Sequence, residues 1–302
     1  MTRRKLHEGP STTARRRARL CGVISALITL ASLVAGSFAA AGPQDKKLKP
    51  EELIARHLEA IGKSEALAAA KSRVASGAVL LTMRVGGAGN LAGESAMAST
   101  GPKLRINMQF PTLDYSGETL AYDGARVATG FLRNGNRSAL SAFLSQQDGP
   151  FKEGLLGGVL STAWPLLRAA EQQPRLEYKG LKKIEGRDLH EVSYRPRKGS
   201  SELKIILHFD PATFRHVRTQ YSYQIAALVG PREAPTMNQD SYYSLIEEFD
   251  DFREADGLTL PHKYRVQLSV QSGRVSALYD YSITINRISH NDALDEKIFT
   301  LK

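Results

Sequence analysis

The residues able to do catalytic or metal-binding chemistry are spread along this chain without the spacing that an active site needs. Its seven histidines form no H-x-x-x-H pair, and no G-x-S-x-G motif supplies a nucleophilic serine. His57 falls on the apolar stripe of a predicted helix, where a packed histidine is favoured over a metal ligand because no second ligand lies at metal spacing. Ser138 and Ser161 lie in an apolar segment with no base placed near them. These patterns predict no enzyme activity, no metal and no cofactor.

Two further motifs suggest chemistry but favour a simpler interpretation. Residues 87–92 (GAGNLA) match a dinucleotide-binding fingerprint, which needs a helix N terminus on the pyrophosphate. The residues that follow are typical of a strand, so a glycine hairpin is favoured. The acidic run at residues 247–251 (EEFDD) could hold a cation, but it lacks the ligand spacing of a calcium loop. A strand end with solvated charges is the favoured interpretation.

The first 41 residues have the pattern of an export signal. A basic segment at residues 15–19 (RRRAR) precedes an apolar run from residue 20 to 41 that ends in small residues. This pattern predicts a signal peptide at residues 1–41, cleaved near Ala41. An uncleaved anchor is the alternative, since about 20 apolar residues can span a bilayer. Residues 2–6 (TRRKL) resemble a twin-arginine signal but lie far upstream of the apolar run, which favours Sec over Tat export.

The leader also accounts for the cysteine usage and for most of the charge. Cys21, the only cysteine, lies at the front of the apolar run, so the exported protein would have no thiol and no lipidated N-terminal cysteine. The leader holds seven Lys and Arg and one acidic residue, which leaves +4 of the total charge of +10 for the rest. No basic cluster interleaved with aromatic residues follows, so no nucleic-acid partner is expected. We expect a periplasmic protein that is not lipidated.

Hydrophobic periodicity predicts two short helices and then a long series of strands. The first helix covers residues 50–61 and the second residues 64–71, and from residue 73 the apolar residues recur with period two. Ten to twelve such strands, each with one apolar face, indicate an antiparallel meander. A sheet of this length curls, so its apolar side would enclose a cavity. The residues expected to line this cavity are Val79, Leu81, Met83, Met97, Leu104, Ile106, Met108, Ile205, Leu207, Phe209, Val217, Tyr221, Tyr264, Val266 and Leu268.

Residues 138–170 interrupt the strands with the most apolar segment after the leader. Its second part is apolar nearly all round, which predicts a buried helix. Gly154, Gly157, Gly158 and Pro165 would weaken that helix, so we interpret the segment as a movable helical lid over the cavity. The residues expected to form the lid contact are Leu140, Phe143, Leu144, Leu155, Leu156, Val159, Leu160 and Trp164.

Several of these features together resemble the LolA/LppX-like family of exported lipoprotein and lipid carriers. They are the leader without a lipobox, the helix at residues 51–61, the strands around Val79 and Leu104, and the apolar lid at residues 155–167. Residues 207–221 (LHFDPATFRHVRTQY) are a further match to this family, and residues 252–266 (FREADGLTLPHKYRV) also fit longer bacterial relatives often labelled outer-membrane lipoprotein-sorting proteins. The resemblance covers residues 50–302. It implies an α+β fold in which a curled antiparallel sheet forms an unclosed barrel and helices cover its concave apolar face.

The resemblance also implies what the protein does. Residues 42–302 would form one lipid-binding domain that carries acyl chains of lipoproteins or lipids through the periplasm towards the outer membrane. Its partners would be the acylated cargo and transient membrane-associated donor and acceptor proteins, and the carrier would be a monomer. An envelope-stress sensor or assembly factor that binds a protein partner in the same cavity is the alternative. A secreted hydrolase is disfavoured for want of a triad or metal cluster.

Overall fold

Two helices open the part of the chain that the structure describes. The structure is a computed structural model that describes residues 48–85, 88–132, 135–197, 202–226 and 240–301, so the expected leader lies outside the described residues. Helix α1 is Pro50–Ile61 and α2 is Ser64–Ala69, which confirms the first helix and shortens the second. Proline in the first turn of α1 and two acidic residues beside it favour a helix start at this point.

Twelve strands form one antiparallel sheet, which confirms the predicted fold class. The strands are β1 Ser72–Val85, β2 Ala88–Thr100, β3 Lys103–Gln109, β4 Gly117–Tyr122, β5 Val127–Thr129, β6 Arg175–Ile184, β7 Arg187–Arg195, β8 Lys204–Phe209, β9 His216–Ile225, β10 Ser241–Ala255, β11 Leu258–Ser272 and β12 Val275–His290. Their order is β5-β4-β3-β2-β1-β12-β11-β10-β9-β8-β7-β6, and the two edge strands do not pair with each other. The sheet is therefore not closed into a barrel.

The sheet consists of two meanders joined at its centre. Strands β1 to β5 form one arm and β6 to β12 the other, and the arms meet where β1 pairs with β12 along almost its whole length. The first and last strands of the sequence thus lie side by side in the middle. Consequently the two edges are β5 and β6, which flank the lid segment in the sequence.

The lid (residues 138–170) lies on the chain segment that runs from one edge of the sheet to the other. It begins with α3 (Ala139–Gln146) and α4 (Gly149–Lys152), and continues through single 3₁₀ turns at Gly158–Leu160 and Pro165–Arg168. Helix α5 (Ala169–Gln172) then leads into β6, and one more 3₁₀ turn, Glu296–Phe299, follows β12. The prediction of a continuous helix over residues 155–167 is wrong.

The core lies between the inner face of the sheet and the segments that cover it. Side chains from both arms, from α1 and from the lid form one cluster of buried apolar residues. The opposite face of the sheet carries charged pairs between neighbouring strands, for example Arg265 with Asp280 at 2.6 Å and with Glu248 at 2.9 Å. The alternation of apolar and polar residues along each strand places these two sets on opposite faces.

Candidate functional site

Glycines set the path of the lid where the helix was expected. Gly154, Gly157 and Gly158 have φ of +72°, +80° and +49°, values that residues with a Cβ rarely adopt. A Cβ on Gly154 would lie 2.1 Å from the carbonyl oxygen of Ala163, and a Cβ on Gly158 would lie 2.7 Å from the ring of Phe249. These glycines are thus required by turns and close contacts. They are not weak points in a helix.

The residues expected to face each other from the sheet and the lid do lie together. Thirteen of the fifteen cavity residues and all eight lid residues belong to the one buried apolar cluster. Met83 is partly buried against that cluster. Val217 is also buried, beside the register shift between β8 and β9, but it does not belong to the cluster. Lid side chains therefore occupy the inner face of the sheet in this conformation.

Trp164 is the largest fully buried side chain of the lid. Its ring lies 4.5 Å from that of His216 between centroids. Its indole Nε1 donates a hydrogen bond to Nε2 of His57 at 3.1 Å, and Nδ1 of His57 lies 3.1 Å from the carbonyl oxygen of Phe214. His57 therefore carries its proton on Nδ1 and is neutral. Burial lowers the pKa of His57 to about 4, which agrees with the packed histidine expected from the sequence.

A buried carboxylate, Glu247 on β10, holds the middle of the lid. Its side chain accepts hydrogen bonds from the backbone nitrogen of Gly157 at 2.7 Å and from the hydroxyls of Tyr221 at 2.6 Å and Tyr264 at 2.5 Å. Burial raises the pKa of Glu247 to about 7, against the opposing effect of the three donors. Glu247 thus links two strands of the sheet to the glycine turn of the lid.

A second buried carboxylate, Glu118 on β4, holds the start of the lid. The hydroxyls of Ser138 and Ser141 both donate to its Oε2 at 2.7 Å. Its Oε1 accepts from Tyr115 and, at 2.9 Å, from Tyr281 on β12. Ser138 also caps α3 by accepting from the backbone nitrogen of Ser141 at 2.9 Å. The two carboxylates therefore hold the lid at two points about 20 residues apart in the sequence.

A buried arginine provides a third polar contact. Arg73 on β1 donates to the carbonyl oxygen of Val159 in the lid and, at 2.9 Å, to Nε2 of His290. Burial lowers the pKa of Arg73 to about 10, so its guanidinium remains charged near neutral pH. Tyr194 on β7 adds a hydrogen bond to Glu153 at 3.0 Å. The lid is thus held to the inner face by apolar packing and by a few buried polar contacts.

For two of the residues that hold the lid, the sequence-based predictions differ from the structure: one residue is predicted to be solvated and the other is not predicted at all. The acidic run at residues 247–251 is not a solvated strand end, because Glu247 is fully buried, although Glu248 does face outward and pairs with Arg218. Glu118 is not among the site residues that the sequence predicts. In both strands the signal is the period of two, since Glu118 alternates with Leu120 and Glu247 lies between Leu245 and Phe249, all of them buried.

The remaining motifs are also accounted for in the described residues. Residues 88–92 of the glycine-rich run lie in β2, which continues to Thr100, so the helix that a dinucleotide site requires does not follow the run. Among the described residues, no group of three His, Cys, Asp or Glu side chains is placed to hold a metal ion. Within the same residues, no helix combines the length and the apolar character needed to cross a bilayer.

Comparison with known proteins shows similarity to solved structures. Neither a protein-family model nor a curated protein matches the sequence. A LolA superfamily protein from Nitrosomonas europaea is 13% identical, with a TM-score of 0.41 over 84% of this chain and 98% of the other. A DUF1329 family protein from Desulfovibrio piger is 11% identical, with a TM-score of 0.40 over 83% and 96% of the two chains.

A third similar structure is a domain from Vibrio parahaemolyticus named for outer-membrane lipoprotein sorting. It is 11% identical, with a TM-score of 0.35 over 82% of this chain and 97% of the other.

Proposed function

We propose that this chain is a periplasmic carrier that binds acyl chains of lipoproteins or lipids and transfers them towards the outer membrane. The observation that carries this proposal is the lid, which fills the inner face of the open sheet with apolar side chains. An acyl chain would take the place of those side chains against the same strands. Residues 1–41 would be the cleaved leader and residues 42–302 the single lipid-binding domain.

The energetics of acyl-chain burial favour a site that the protein's own lid fills while no ligand is bound. Burying a CH₂ group gains about 0.8 kcal/mol, so a chain of about sixteen carbons would gain roughly 13 kcal/mol before costs. An open apolar cup would hold such a ligand too tightly for transfer. A lid that competes for the same surface lowers the net affinity and permits release to an acceptor.

The polar contacts of the lid are compatible with competition between the lid and an acyl chain for the inner face of the sheet. Gly157 and Val159 are held through a backbone nitrogen and a backbone carbonyl, to Glu247 and Arg73 respectively. The lid side chains that face the core on either side of these two residues are apolar, among them Leu155, Leu156 and Leu160. A ligand could therefore replace the apolar contacts while the carboxylate and the guanidinium remain on the sheet and bind the lid again when the ligand leaves.

Two measurements on protein recovered from the periplasm test the carrier function. Native mass spectrometry and solvent extraction should detect a bound lipid or acylated peptide. In addition, titration with lysophospholipid should shift the emission of Trp164, the only tryptophan in the chain, in a saturable way, whereas a short-chain analogue should not. Binding seen by mass spectrometry without any change in Trp164 emission would contradict displacement of the lid.

A matched pair of variants tests whether the inner face is the binding face. Leu81 is fully buried on the inner side of β1, whereas its neighbour Leu80 is 44% exposed. Leu81→Asp should abolish lipid binding or cost several kcal/mol of stability, because it buries a charge. Leu80→Asp should do neither. A stoichiometric protein complex without co-purified lipid would contradict the carrier and favour the envelope-stress sensor or assembly factor.

A further inference from the structure

The large apolar side chains that are exposed in the described residues concentrate at one end of the sheet. Eight such residues are more than a third exposed. Six of them form what we call the apolar rim: Val85, Leu113, Phe131, Ile225, Tyr242 and Val275. The other two, Leu80 and Leu181, lie within strands β1 and β6. Exposed apolar residues grouped in this way mark an interaction surface more often than scattered ones do.

The strand register places the rim residues at the same end. In an antiparallel meander successive connections alternate between the two ends of the sheet. Val85 ends β1 and pairs with Ala277, only two residues after Val275 at the start of β12. Across the neighbouring strands, the end of β11 at Ser272 pairs with Val275 and with Ser241, and Ser241 pairs with Ile225. Tyr242 follows directly in β10.

The remaining two rim residues, Leu113 and Phe131, are close in sequence to residues that line a groove at this end. It has a volume of about 460 Å³ and is lined by Met83, Val85, Tyr115, Leu132, Arg137 and Tyr279 among others. Leu113 lies two residues before Tyr115, and Phe131 directly precedes Leu132, with the guanidinium of Arg137 4.2 Å from the Phe131 ring centroid. Ser138 and Ala139, where the lid begins, also line the groove. The rim residue Val85 therefore lines an opening beside the first residues of the lid, and Leu113 and Phe131 lie close in sequence to other residues that line it.

The charges of the two ends differ. Within two residues of the connections at the rim, the exposed basic residues among those described are Arg84, Arg137, Arg175, Arg195, Arg197, Lys204 and Arg274, and the exposed acidic ones are Asp114, Glu177, Glu202 and Asp240. At the opposite end, counted in the same way, the exposed acidic residues among those described are Glu185, Asp188, Glu254, Asp256, Asp292, Asp295 and Glu296, and the basic ones Lys71, Arg126, Lys182, Lys183, Arg187, Arg253 and Lys297, so the charges balance there. The apolar end is thus also the basic end.

We infer that the apolar rim docks directly on the surface of a bilayer that contains anionic lipid. Its apolar side chains enter the boundary between head groups and acyl chains, and its arginines meet the lipid phosphates. Tyrosine, the type of Tyr242, is enriched at that depth, and phenylalanine, the type of Phe131, is common on apolar faces that lie in the interface. Docked in this way, the groove beside the start of the lid opens onto the membrane. This inference goes beyond the proposed carrier function, because it gives the chain a lipid contact of its own without a donor or acceptor protein.

Vesicle flotation with matched double variants tests the docking. Protein from the periplasm, its N terminus defined by intact mass, is mixed with vesicles of phosphatidylglycerol and phosphatidylcholine in equal parts. We expect binding that weakens with added salt and that is weaker on phosphatidylcholine alone. Leu113→Asp with Val275→Asp should weaken binding at least about tenfold, because two apolar contacts are replaced by like charges to the lipid. Leu80→Asp with Leu181→Asp adds the same charges at two exposed positions off the rim and should leave binding unchanged.

Three results would overturn the inference. They are equal loss in both double variants, absence of vesicle binding by the parent protein, and a rim variant that loses a protein partner while vesicle binding persists. Circular dichroism of each variant shows that it is folded. Lysophospholipid titration of Trp164 in the same samples separates docking from the carrier function. A rim variant that no longer floats but still binds lysophospholipid leaves the carrier function intact.

Discussion

The two parts of the lid reach the same core by different means. The first part, α3, is a regular helix with a serine cap and with Leu140, Phe143 and Leu144 buried on one face. The second part, residues 154–168, contains only two single 3₁₀ turns, and its three glycines all have positive φ. The shape of the first part follows from its own sequence. The shape of the second part depends on the strands against which it lies.

The buried polar contacts of the two parts also differ, because one part is held through its side chains and the other mainly through its backbone. At the first part, side-chain hydroxyls of the lid reach Glu118. At the second part, it is mainly the lid backbone that is held, because Gly157 donates to Glu247 and Val159 accepts from Arg73. A segment without helical hydrogen bonds has free backbone groups, and buried groups of this kind need partners. We expect the second part to tolerate substitution less well and the first part to tolerate it better.

The largest effect is expected from adding a single methyl group to the second part. Gly154→Ala should destabilise the protein by about 3 kcal/mol, because alanine is strained at positive φ and its Cβ would overlap the Ala163 carbonyl. Urea unfolding measures the change. Gly149→Ala, between the two parts, is the matched control. Its Cβ would meet no atom within 4 Å, so it should be neutral or slightly stabilising. Equal costs at the two sites would contradict the contrast.

The same contrast explains how far the sequence predicts the structure. The stripe Leu53, Ile54, His57 and Ile61 predicts α1, and alternation predicts the strands, because these patterns are local. The apolar run at residues 155–167 misleads, since a helix buried on all sides and an irregular buried segment have the same composition. What distinguishes them is the approach of Ala163 and Phe249 to the glycines. That approach depends on contacts distant in sequence.

The candidate site was predictable to a similar extent. Its apolar residues follow from the alternation, which is why nearly all of them lie in the one cluster. Its buried charges did not follow, because Glu118, Glu247 and Arg73 look like surface residues when read without the register of their strands. Arg73 alternates with Ala75, which is buried. The interior position of a charge is therefore visible in the pattern, but its partner in the lid is not.

The second prediction concerns pH and the Glu247 contact. The pKa of this group is raised to about 7 in the folded protein, above the ordinary 4.5, so the folded state keeps a proton that the unfolded state releases. The stability it contributes is present below about pH 4.5 and is lost as the pH rises through 7, by roughly 3 kcal/mol. His57 acts in the opposite sense, because its pKa is lowered to about 4. The stability that neutral His57 contributes is present above about pH 6.5 and is lost as the pH falls towards 4.

Glu247→Gln separates these two contributions. The free energy of unfolding of the parent minus that of the variant should decrease between about pH 5 and pH 8, because only the parent loses the Glu247 contribution in that range. Thermal or urea unfolding at both pH values measures it. His57 is present in both proteins, so its contribution cancels. A difference that stays constant with pH would show that Glu247 does not titrate in this range.

A smaller effect is expected from Trp164→Phe. Phenylalanine fills most of the indole volume but cannot donate to His57, whose Nε2 would lose its partner. The cost should be about 2 kcal/mol, from the lost hydrogen bond and a small cavity. Urea unfolding followed by circular dichroism measures it, since the variant has no tryptophan. A neutral result would mean that the contact with His57 is replaced by another donor or by water.

The smallest effects are expected in the first part of the lid. Substitution of two of its serines distinguishes the contribution of the helix cap from that of the hydrogen bonds to Glu118. Ser141→Ala removes one donor to Glu118 and should cost about 1 kcal/mol. Ser138→Ala removes an equivalent donor at the same distance and also the cap of α3, so it should cost about 1 kcal/mol more. Urea unfolding of both variants gives the cap contribution as the difference between them. If Ser138→Ala costs no more than Ser141→Ala, α3 is not maintained by its own cap. Its shape would then depend on the sheet, as that of the second part does.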